Sequence, residues 1–412
     1  MRFVFVIALL LLPAMAPMAS DAQSAGKPVS VATAIGDHVL LTVAVDDGQS
    51  RNSAAAMIVR LDGRDTQHII LTPGVGRTSY TALLGPMEAG SHAVELVPSP
   101  YWPADPAVRV RELTTRVVRQ NDPASVVLGH APTIGVRADT IGTASDLPLV
   151  MYVEDLRQAG EGLIRYSVIF SNEDGGTSTP ALLARWGRTT DIEFVYEIEW
   201  RGARVTQERI QAPDHKVLSF NGAREGAHPY LLVSTLNNMV MDRGLSVAAV
   251  RPVPLVVDLS SATRESVMDK EPWSYRVMAR ELQAEGRINA EVRDPREYLY
   301  VEAKLDLQNA AVHVLALSPD GQSDSAAGNP SWAVDRNGWV RIAVRAPASA
   351  TAIQWRCAPV KKNLTDTSRC SVDLSRVFRL DSTYTPGANL VTARAISISE
   401  GLSDSIPLAG SK

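Results

Sequence analysis

The feature that most constrains the fold is the repetition of short runs in which apolar and polar residues alternate. In "DHVLLTVAVDD", Val39, Leu41, Val43 and Val45 fall on one face of an extended segment. Similar runs recur almost to the C-terminus, and most are bounded by Gly, Pro, Asp or Asn. This spacing is typical of antiparallel sandwiches. We therefore predict an all-β protein composed of several β-sandwiches.

The length of the chain predicts more than one domain. At roughly 100–200 residues per domain, the 412 residues correspond to about two to four domains. Residues 27–118 are predicted to form an immunoglobulin-like or fibronectin-type sandwich, and "RQNDPASVVLGHAP" a linker. Residues 125–289 are predicted to form a central β-rich domain. Residues 290–412 form either a C-terminal sandwich, which we favour, or strands that complete the central domain.

One segment departs from the β pattern. In "SATRESVMDKEPWSYRVMARELQAEG", the apolar residues follow helical spacing, among them Trp273, Val277 and Leu282. Pro272 interrupts this pattern because proline lacks a backbone N–H, and Gly286 is a typical residue just beyond a helix. The sequence therefore predicts one substantial helix over residues 272–285.

The N-terminus has the pattern of an export signal. Arg2 is followed by an apolar stretch over residues 3–12 and by small residues, with Ser20 and Ala22 suited to the −3 and −1 positions. We predict a signal peptide over residues 1–22 and a periplasmic or extracellular protein. The alternatives are cleavage after Ala19 and an uncleaved anchor, but a membrane span needs ~20 apolar residues. No later segment has the composition of a membrane span, so none is predicted in the mature chain.

Two cysteines, Cys357 and Cys370, are present. In an exported protein an even number of cysteines predicts a disulfide. The short loop that it closes would contribute about 3 kcal/mol to stability. The alternative is a pair of free, buried thiols, and two cysteines alone do not form a zinc site.

The overall charge argues against nucleic acid as a partner. The formal net charge is −4, and no stripe of Lys and Arg provides the basic surface that nucleic-acid binding requires. The seven tryptophans could offer stacking surfaces to a glycan, although packing in the core is the more common use of such side chains. A glycan or a protein is therefore the predicted kind of partner.

The segment "TDIEFVYEIEW" predicts a strand with one apolar and one acidic face. Asp191, Glu193 and two further glutamates alternate with apolar residues. Same-face neighbours lie about 7 Å apart, and like charges at that spacing require water, arginine or a metal ion. Arg185 and Arg188 come shortly before the strand. We favour a solvated or ion-paired face, with a cation or ligand site as the alternative.

The loop "SNEDGG" precedes that strand and joins four polar side chains to two glycines. Its asparagine and aspartate can fold a turn through side-chain-to-backbone hydrogen bonds, and glycine allows positive φ. The alternative is a calcium site formed by Glu173 and Asp174, although the spacing does not match an EF-hand. We favour a loop that fixes its own shape and borders a pocket.

Three histidines lie in turns of the central region, and imidazole serves as a metal ligand or a proton carrier near neutral pH. Together with the acidic strand they could hold zinc and activate water, with an arginine binding an anion. No HExxH or GxSxG motif is present. For each histidine alone, a structural or surface role is the alternative that we favour. The candidate site residues are His130, Glu173, Asp174, Arg185, Arg188, Asp191, Glu193, His215 and His228.

The order of several stretches is similar to a known family. "HAP", "IRYSVIFSNEDGG", "DIEFVY" and "HPYLLVSTLNN" follow one another as comparable motifs do in the vacuolar-protein-sorting sixty-two-like family. "DIE", beginning at Asp191, stands for that family's acidic strand, whereas Asn237 and Asn238 replace the histidine of its late motif. The resemblance implies a β-rich module over residues 125–240 and no settled activity.

The function that we favour from the sequence is a binding or structural protein of the cell envelope or extracellular space, with a glycan or protein ligand. The alternative is a metal-assisted hydrolase or lyase that uses a divalent ion, zinc or calcium, in the central domain. A candidate site in the central domain requires these residues to lie together at one end of a single β module. If they are scattered, the chain is a set of exported sandwiches with no candidate site.

Overall fold

The computed structural model describes residues 27–409 except positions 47, 49–53, 103–107, 174, 203, 320–322, 326–331 and 361–365. The predicted signal peptide over residues 1–22 and the candidate ligand Asp174 therefore lie outside the described residues. Among the described residues, no helix combines the length and the apolar character needed to cross a membrane.

The N-terminal part is a sandwich of two sheets. Its strands are β1 (Val29–Thr33), β2 (His38–Val45), β3 (Ala55–Leu61), β4 (Arg64–Leu71), β5 (Ser79–Leu84), β6 (Gly90–Pro98) and β7 (Val110–Val118). One sheet has the order β1-β6-β3-β4, and the other has the order β5-β2-β7. Val39, Leu41 and Val43 are completely buried, as the alternation predicted, in one core with Val59 and Leu96. The strand count is that of an immunoglobulin-type sandwich, and pairing of β1 with β6 departs from the immunoglobulin order.

The central part contains short helices and a second sheet. In chain order its elements are α1 (Ala124–Gly129), β8 (Thr133–Gly135), α2 (Ala138–Thr143), β9 (Pro148–Asp155), β10 (Gly162–Phe170), α3 (Thr179–Trp186), β11 (Asp191–Arg201), β12 (Arg204–Ala212), β13 (Lys216–Ser219), β14 (Arg224–Glu225), β15 (His228–Val233), β16 (Val240–Met241), β17 (Ala249–Val250), β18 (Leu255–Val256), α4 (Ser266–Lys270) and α5 (Trp273–Ala284). The segment that was predicted to be a linker contains helix α1. Val127 and Leu128 of this helix are buried in the main core.

The predicted helix is present as α5. Pro272 separates it from the short α4, as expected of a residue that breaks a helix. The apolar positions that predicted the helix, among them Val277 and Leu282, are buried against the sheets. The helix therefore belongs to the core rather than to the surface.

Two sheets organise the central part. One has the order β13-β12-β11-β10-β9-β18 and is antiparallel apart from the parallel pairing of β18 with β9. In the other, β17 pairs with β4 and with β8, so the sheet of β1, β6, β3 and β4 continues to β15 and β14. A continuous sheet thus crosses the predicted boundary between residues 118 and 125, and the division into domains stays a prediction.

The C-terminal part has two four-stranded sheets. Its strands are β19 (Tyr298–Gln308), β20 (Ala310–Leu317), β21 (Ser323–Ser325), β22 (Gly338–Arg345), β23 (Ala352–Pro359), β24 (Arg369–Phe378), β25 (Arg394–Ser399) and β26 (Ser403–Pro407). The sheet orders are β22-β19-β24-β25 and β21-β20-β23-β26. Cys357 on β23 and Cys370 on β24 form the predicted disulfide between these sheets. The all-β class with one substantial helix is therefore confirmed.

Candidate functional site

A polar cavity of about 270 Å³ lies where the central sheet meets the segments on either side of α3. We call it the acid pocket. The loop after β10, the C-terminal end of α3, the first residues of β11, the end of β12 and the segment before α4 all contribute to it. Its lining residues are Glu173, Thr177, Trp186, Arg188, Asp191, Glu193, Gln211, His215 and Arg264.

Asp191, the first residue of β11, is the most buried carboxylate of this pocket, at 1% exposure. The Asn238 side-chain amide donates a hydrogen bond to Asp191 Oδ2 at 3.1 Å. Arg188 Nη1 lies 3.9 Å from the other carboxylate oxygen. Burial raises the pKa of Asp191 despite the opposing effects of Arg188 and Asn238. The carboxylate is therefore only partly compensated.

Glu173 and Glu193 approach the same space from the loop and from β11. Burial, followed by the charge of Asp191, raises the pKa of Glu173 to about 7. The same two causes raise the pKa of Glu193 to about 8. The Gln211 side-chain amide donates to a carboxylate oxygen of Glu193 and lies 3.0 Å from His215 Nδ1. Near neutral pH both glutamates therefore carry a proton for a large fraction of the time.

The two arginines of the pocket are held by other groups. Arg188 is 3% exposed, with Nε 3.3 Å from Glu265 Oε1. Arg264 Nη1 donates to the carbonyl oxygen of Ile192 at 3.0 Å. Burial tends to raise the pKa of Glu265, but Arg188 and Arg264, together with Arg341, hold it below its ordinary value. Arg188 and Arg264 therefore compensate much of the charge of Glu265, which leaves less of their charge for the pocket carboxylates.

A bulge divides the acidic residues of β11 into two groups. A bulge pairs Tyr166 with Tyr196 but Ser167 with Phe194, so Val195 has no opposite residue. Val195 is fully buried. The sequence predicted strict alternation along this strand, and that prediction is wrong at Val195 because the extra residue shifts the register. Beyond the bulge, Glu197 is bound by arginines and fits the ion-paired interpretation. Its partners are Arg165 at 2.6 Å and Arg209 at 3.3 Å.

The three candidate histidines do not share one site. His215 lines the acid pocket. His228 is completely buried, and its ring lies 5.5 Å from that of His38. His130 packs edge-on against Trp200, with ring centroids 5.5 Å apart. The structure therefore corrects the predicted cluster, since His130 and His228 belong to another part of the core.

Arg185 also lies outside the acid pocket. Its Nη2 atom is 2.7 Å from Asp335, and its guanidinium lies 5.2 Å from the ring centroid of Trp186. Arg188, rather than Arg185, is the candidate arginine that reaches the carboxylates. Arg185 instead covers one side of the tryptophan that borders the pocket.

The described residues give no support to a metal centre. Within them, no three or more His, Cys, Asp or Glu side chains are grouped so that they could hold a metal ion. The zinc alternative gains no support, because His130 and His228 lie apart from His215. The calcium alternative depends on Asp174, which lies outside the described residues.

Several pocket residues escaped the sequence analysis. Gln211 is on β12, the strand that follows β11, and Arg264 lies far from both in the sequence; neither matches a motif, so no local signal identifies them. Trp186 lies between the candidate arginines Arg185 and Arg188 in the sequence. This was the one signal that could have identified it as a pocket residue. Pairing of β12 with β11 brings Gln211 to the pocket, whereas Trp186 at the end of α3 and Arg264 before α4 reach it from outside this sheet.

The fold and the pocket define an all-β, multi-sheet protein with a carboxyl-rich internal site. Comparison with models of known protein families and with curated proteins gave no match. The resemblance to the vacuolar-protein-sorting sixty-two-like family therefore stays a prediction.

Proposed function

We propose that this protein is an exported binding protein of the cell envelope or extracellular space, and that the acid pocket holds one sugar unit of a glycan. The observation that carries the proposal is the lining of the cavity. It combines two carboxyl groups whose pKa values are raised to about 7 and about 8 with two arginines, an amide, an imidazole and a tryptophan.

The hydrogen-bonding capacity of this lining matches hydroxyl groups. A protonated carboxyl donates through its O–H and accepts through its other oxygen, and a glutamine amide does both. Sugar hydroxyls also donate and accept, so Glu193 and Gln211 can each engage one. Ionised carboxylates alone would only accept. The raised pKa values therefore favour a neutral polyhydroxylated ligand.

The size of the cavity limits the ligand. Sites for drug-sized molecules occupy about 300–1,000 Å³, and the acid pocket, at about 270 Å³, lies just below that range. One monosaccharide unit is a suitable occupant, with the rest of a glycan outside. Export is supported by the Cys357–Cys370 disulfide, because such bonds persist in oxidising compartments.

A glycan-binding experiment tests the proposal. Neutral mono- and oligosaccharides are titrated into the purified protein and followed by saturation-transfer NMR and calorimetry. Gln211→Ala removes the amide oxygen and the hydrogen bond that positions Glu193, so we expect binding about tenfold weaker. Arg201→Gln is the matched control, since this side chain is 73% exposed at the far end of β11. Absence of binding to every sugar, or equal binding by Gln211→Ala and Arg201→Gln, would overturn the proposal.

Hydrolysis of the bound glycan is the second candidate function. It is favoured by one observation, the raised pKa values of Glu173 and Glu193, because a general acid must hold its proton at working pH. Release of reducing sugar would be the signal, and Glu193→Gln should abolish it. Elemental analysis, with activity measured in chelator, distinguishes the metal-assisted form from acid–base chemistry by the carboxyl groups alone.

A further inference from the structure

A groove of about 350 Å³ lies where the sheet that joins the N-terminal and central parts opens between β4 and β17. We call it the β4 groove. The two strands pair in parallel at one position, His68 opposite Val250. The chain ahead of β17 follows β8 instead, and the Val136 N–H donates to the carbonyl oxygen of Ala248 at 3.0 Å. The sheet therefore has a gap beside the first half of β4.

The wall of the groove that β4 forms is a free strand edge. On one side β4 pairs with β3, but on the other side residues 64–67 have no strand beside them within the described part of the chain. Arg64, Asp65 and Thr66 are exposed. Such an edge presents unpaired N–H and C=O groups, which another extended chain can satisfy. At about 3.3 Å per residue, this edge can pair with a strand of four or five residues.

A bulge at this end of β4 limits which chains can pair with it. The pairing with β3 shifts between Val59 and Arg60, so Thr66 has no opposite residue. Bulges and charged side chains on an edge disfavour unselective pairing, and Asp65 on this edge lies 2.5 Å from Arg60 Nε. A partner must therefore supply side-chain contacts as well as backbone hydrogen bonds.

The polar side chains that line the groove are engaged within the protein. Gln67 donates to the carbonyl oxygen of Leu83 at 2.7 Å and accepts from the Arg251 N–H at 2.8 Å. His68 Nε2 lies 3.2 Å from Ser99 Oγ, and burial lowers the pKa of His68, so this ring is neutral near pH 7. With the ion pair on the edge, these contacts leave no uncompensated charge in the lining. The segment of a partner that enters the groove is therefore uncharged.

The rim of the groove is apolar and open to solvent. Leu245 is 86% exposed, Val247 54% and Tyr101 53%, and all three line the same groove. Single exposed apolar residues are normal, whereas a concentration of them marks an interaction site. Tyrosine is also enriched at protein–protein interfaces. The rim therefore supplies the apolar contacts that the strand edge lacks.

Tyr230 adds one hydrogen-bond donor to the groove. The Ser246 N–H donates to the Tyr230 oxygen at 3.0 Å, and no acceptor for the Tyr230 O–H is formed within the described residues. The side chain is half-buried. Gly135 leaves room for the hydroxyl, because an added Cβ at that position would overlap it. A backbone carbonyl of an entering chain is a suitable acceptor for this proton.

We propose that the β4 groove binds an extended apolar segment of a partner protein, which adds a strand to the free edge of β4 and buries an apolar side chain among Tyr101, Leu245 and Val247. Strand addition takes its affinity from main-chain hydrogen bonds and its specificity from alternate side chains. A sugar or a small apolar molecule would contact the rim and leave the edge unpaired, so an extended chain fits the groove best. The site is separate from the acid pocket and does not depend on the function proposed for it.

The test uses a displayed library of random heptapeptides as the probe and the purified protein as the target. We expect the selected peptides to carry apolar residues at alternate positions, since alternate side chains of a strand share a face. Hydrogen exchange of the complex should show slower exchange of the backbone amides of residues 64–67. Selected peptides are then synthesised, and their affinities are measured by fluorescence anisotropy.

Two variants test the rim. Leu245→Ser should weaken peptide binding at least about tenfold, because the rim loses apolar area that the peptide covers. Leu402→Ser is the matched control, since this leucine is 60% exposed between β25 and β26, and it should leave binding unchanged. Equal weakening by the two variants would overturn the proposal. Val247→Ser provides a second rim variant, and circular dichroism confirms that each variant is folded.

Two methylated forms of a selected peptide test the strand edge. N-methylation of one set of alternate residues removes the N–H groups that face β4, and N-methylation of the other set removes those that face away. Every side chain is retained in both forms. We expect one form to bind at least about tenfold more weakly and the other to bind nearly as the parent peptide does. Equal affinity of the two forms would mean that no strand is added, and the proposal would fail.

The remaining outcomes concern a different occupant. Size-exclusion chromatography with light scattering measures the oligomeric state of the free protein. A dimer that Leu245→Ser dissociates would assign the groove to a second copy of this chain and would overturn the proposal. A library that yields no binder of the wild-type protein would also contradict it.

Discussion

Two groups of buried charges each contact Glu265 through an arginine, Arg188 in one and Arg341 in the other, and they are compensated very differently. One is the acid pocket. The other, which we call the Arg341 cluster, consists of Arg341, Asp269, Glu302, Tyr275 and Arg376. Arg341 is completely buried, and its Nη2 lies 2.7 Å from Asp269 and 2.5 Å from Glu302. Arg376 approaches Asp269 at 3.0 Å.

In the Arg341 cluster each charge has an opposite partner at hydrogen-bonding distance. The aspartate accepts from both arginines and from the Tyr275 hydroxyl, and Thr263 donates to Glu302 at 3.0 Å. Such an arrangement leaves no polar group for a ligand. Its role is to join α4 and α5 to the C-terminal sheet that contains β19, β22 and β24.

In the acid pocket the carboxyl groups outnumber their partners and surround an open space. The pKa values of Glu173 and Glu193 are raised to about 7 and about 8. Strong perturbation beside a cavity is typical of functional sites. Burial of a charged group is therefore not in itself a sign of function. A buried charged group that lacks a full set of partners and borders a cavity is such a sign.

Breaking the Arg341 cluster should have the largest effect on stability. Removing one member of a buried ion pair leaves an uncompensated charge, so Arg341→Met should lower the free energy of unfolding by about 3–5 kcal/mol. Urea denaturation measures this loss. The exposed Arg201→Met should change little, and an equal loss in both variants would contradict the assignment of a structural role.

The His38–His228 pair extends the comparison, because its contribution to stability changes with pH in the direction opposite to that of the acid pocket. Burial and the nearby Arg251 lower the pKa of His228 to about 3. The titratable groups around the pair are Arg251, Asp37 and His130, with Glu225 bound to Arg251.

A folded-state pKa below the unfolded value near 6.5 means that stability is present above that pH and lost as pH falls. We expect a loss of about 2–3 kcal/mol between pH 6.5 and pH 4, at 1.36 kcal/mol per unit of pKa. His228→Gln retains a donor for Ala131 and cannot be protonated, so it should show less of this acid-side loss. Denaturation midpoints across that range provide the measurement, and parallel curves would sink the prediction.

The acid pocket should respond in the opposite direction. A carboxyl group with a raised folded-state pKa stabilises the protein below its unfolded pKa, and that stability is lost as pH rises through the folded value. For Glu193 the window runs from about pH 4.5 to about pH 8. Glu193→Gln should flatten the decline by about 2 kcal/mol, measured as thermal midpoints. A slope identical to the wild type would show that Glu193 is ionised throughout.

The smallest effect on stability is expected for an exposed ion pair. Arg60 and Asp65 are 2.5 Å apart with side-chain exposures of 37% and 51%. Pairs of this kind contribute little because water and salt screen them, so Asp65→Asn should leave the free energy of unfolding almost unchanged. The same urea experiment measures it, and a loss comparable to that of Arg341→Met would remove the distinction between buried and exposed pairs.

Several features of the fold followed from the sequence because they depend on local periodicity. Alternation predicted β2 and its buried residues Val39, Leu41 and Val43. Helical spacing with Pro272 predicted α5. An even cysteine count predicted the disulfide. In the site, Glu173, Arg188, Asp191, Glu193 and His215 were candidates from the sequence and do line one cavity.

Other features required the arrangement of distant segments. The bulge at Val195 shifts β11 relative to β10, and alternation along one strand carries no information about its partner's register. The same holds for the separation of His130 and His228 from Asp191, and for the arrival of Gln211 and Arg264 at the acid pocket. These positions depend on which strands pair.

The sequence by itself determined the class of secondary structure, the helix and the covalent bond, because each follows from neighbouring residues or from composition. The tertiary structure alone decided which charges are matched around Arg341 and which are only partly matched beside Asp191. The physical reason is that a charge is compensated through space, over a few ångströms, by groups that the chain brings from distant positions.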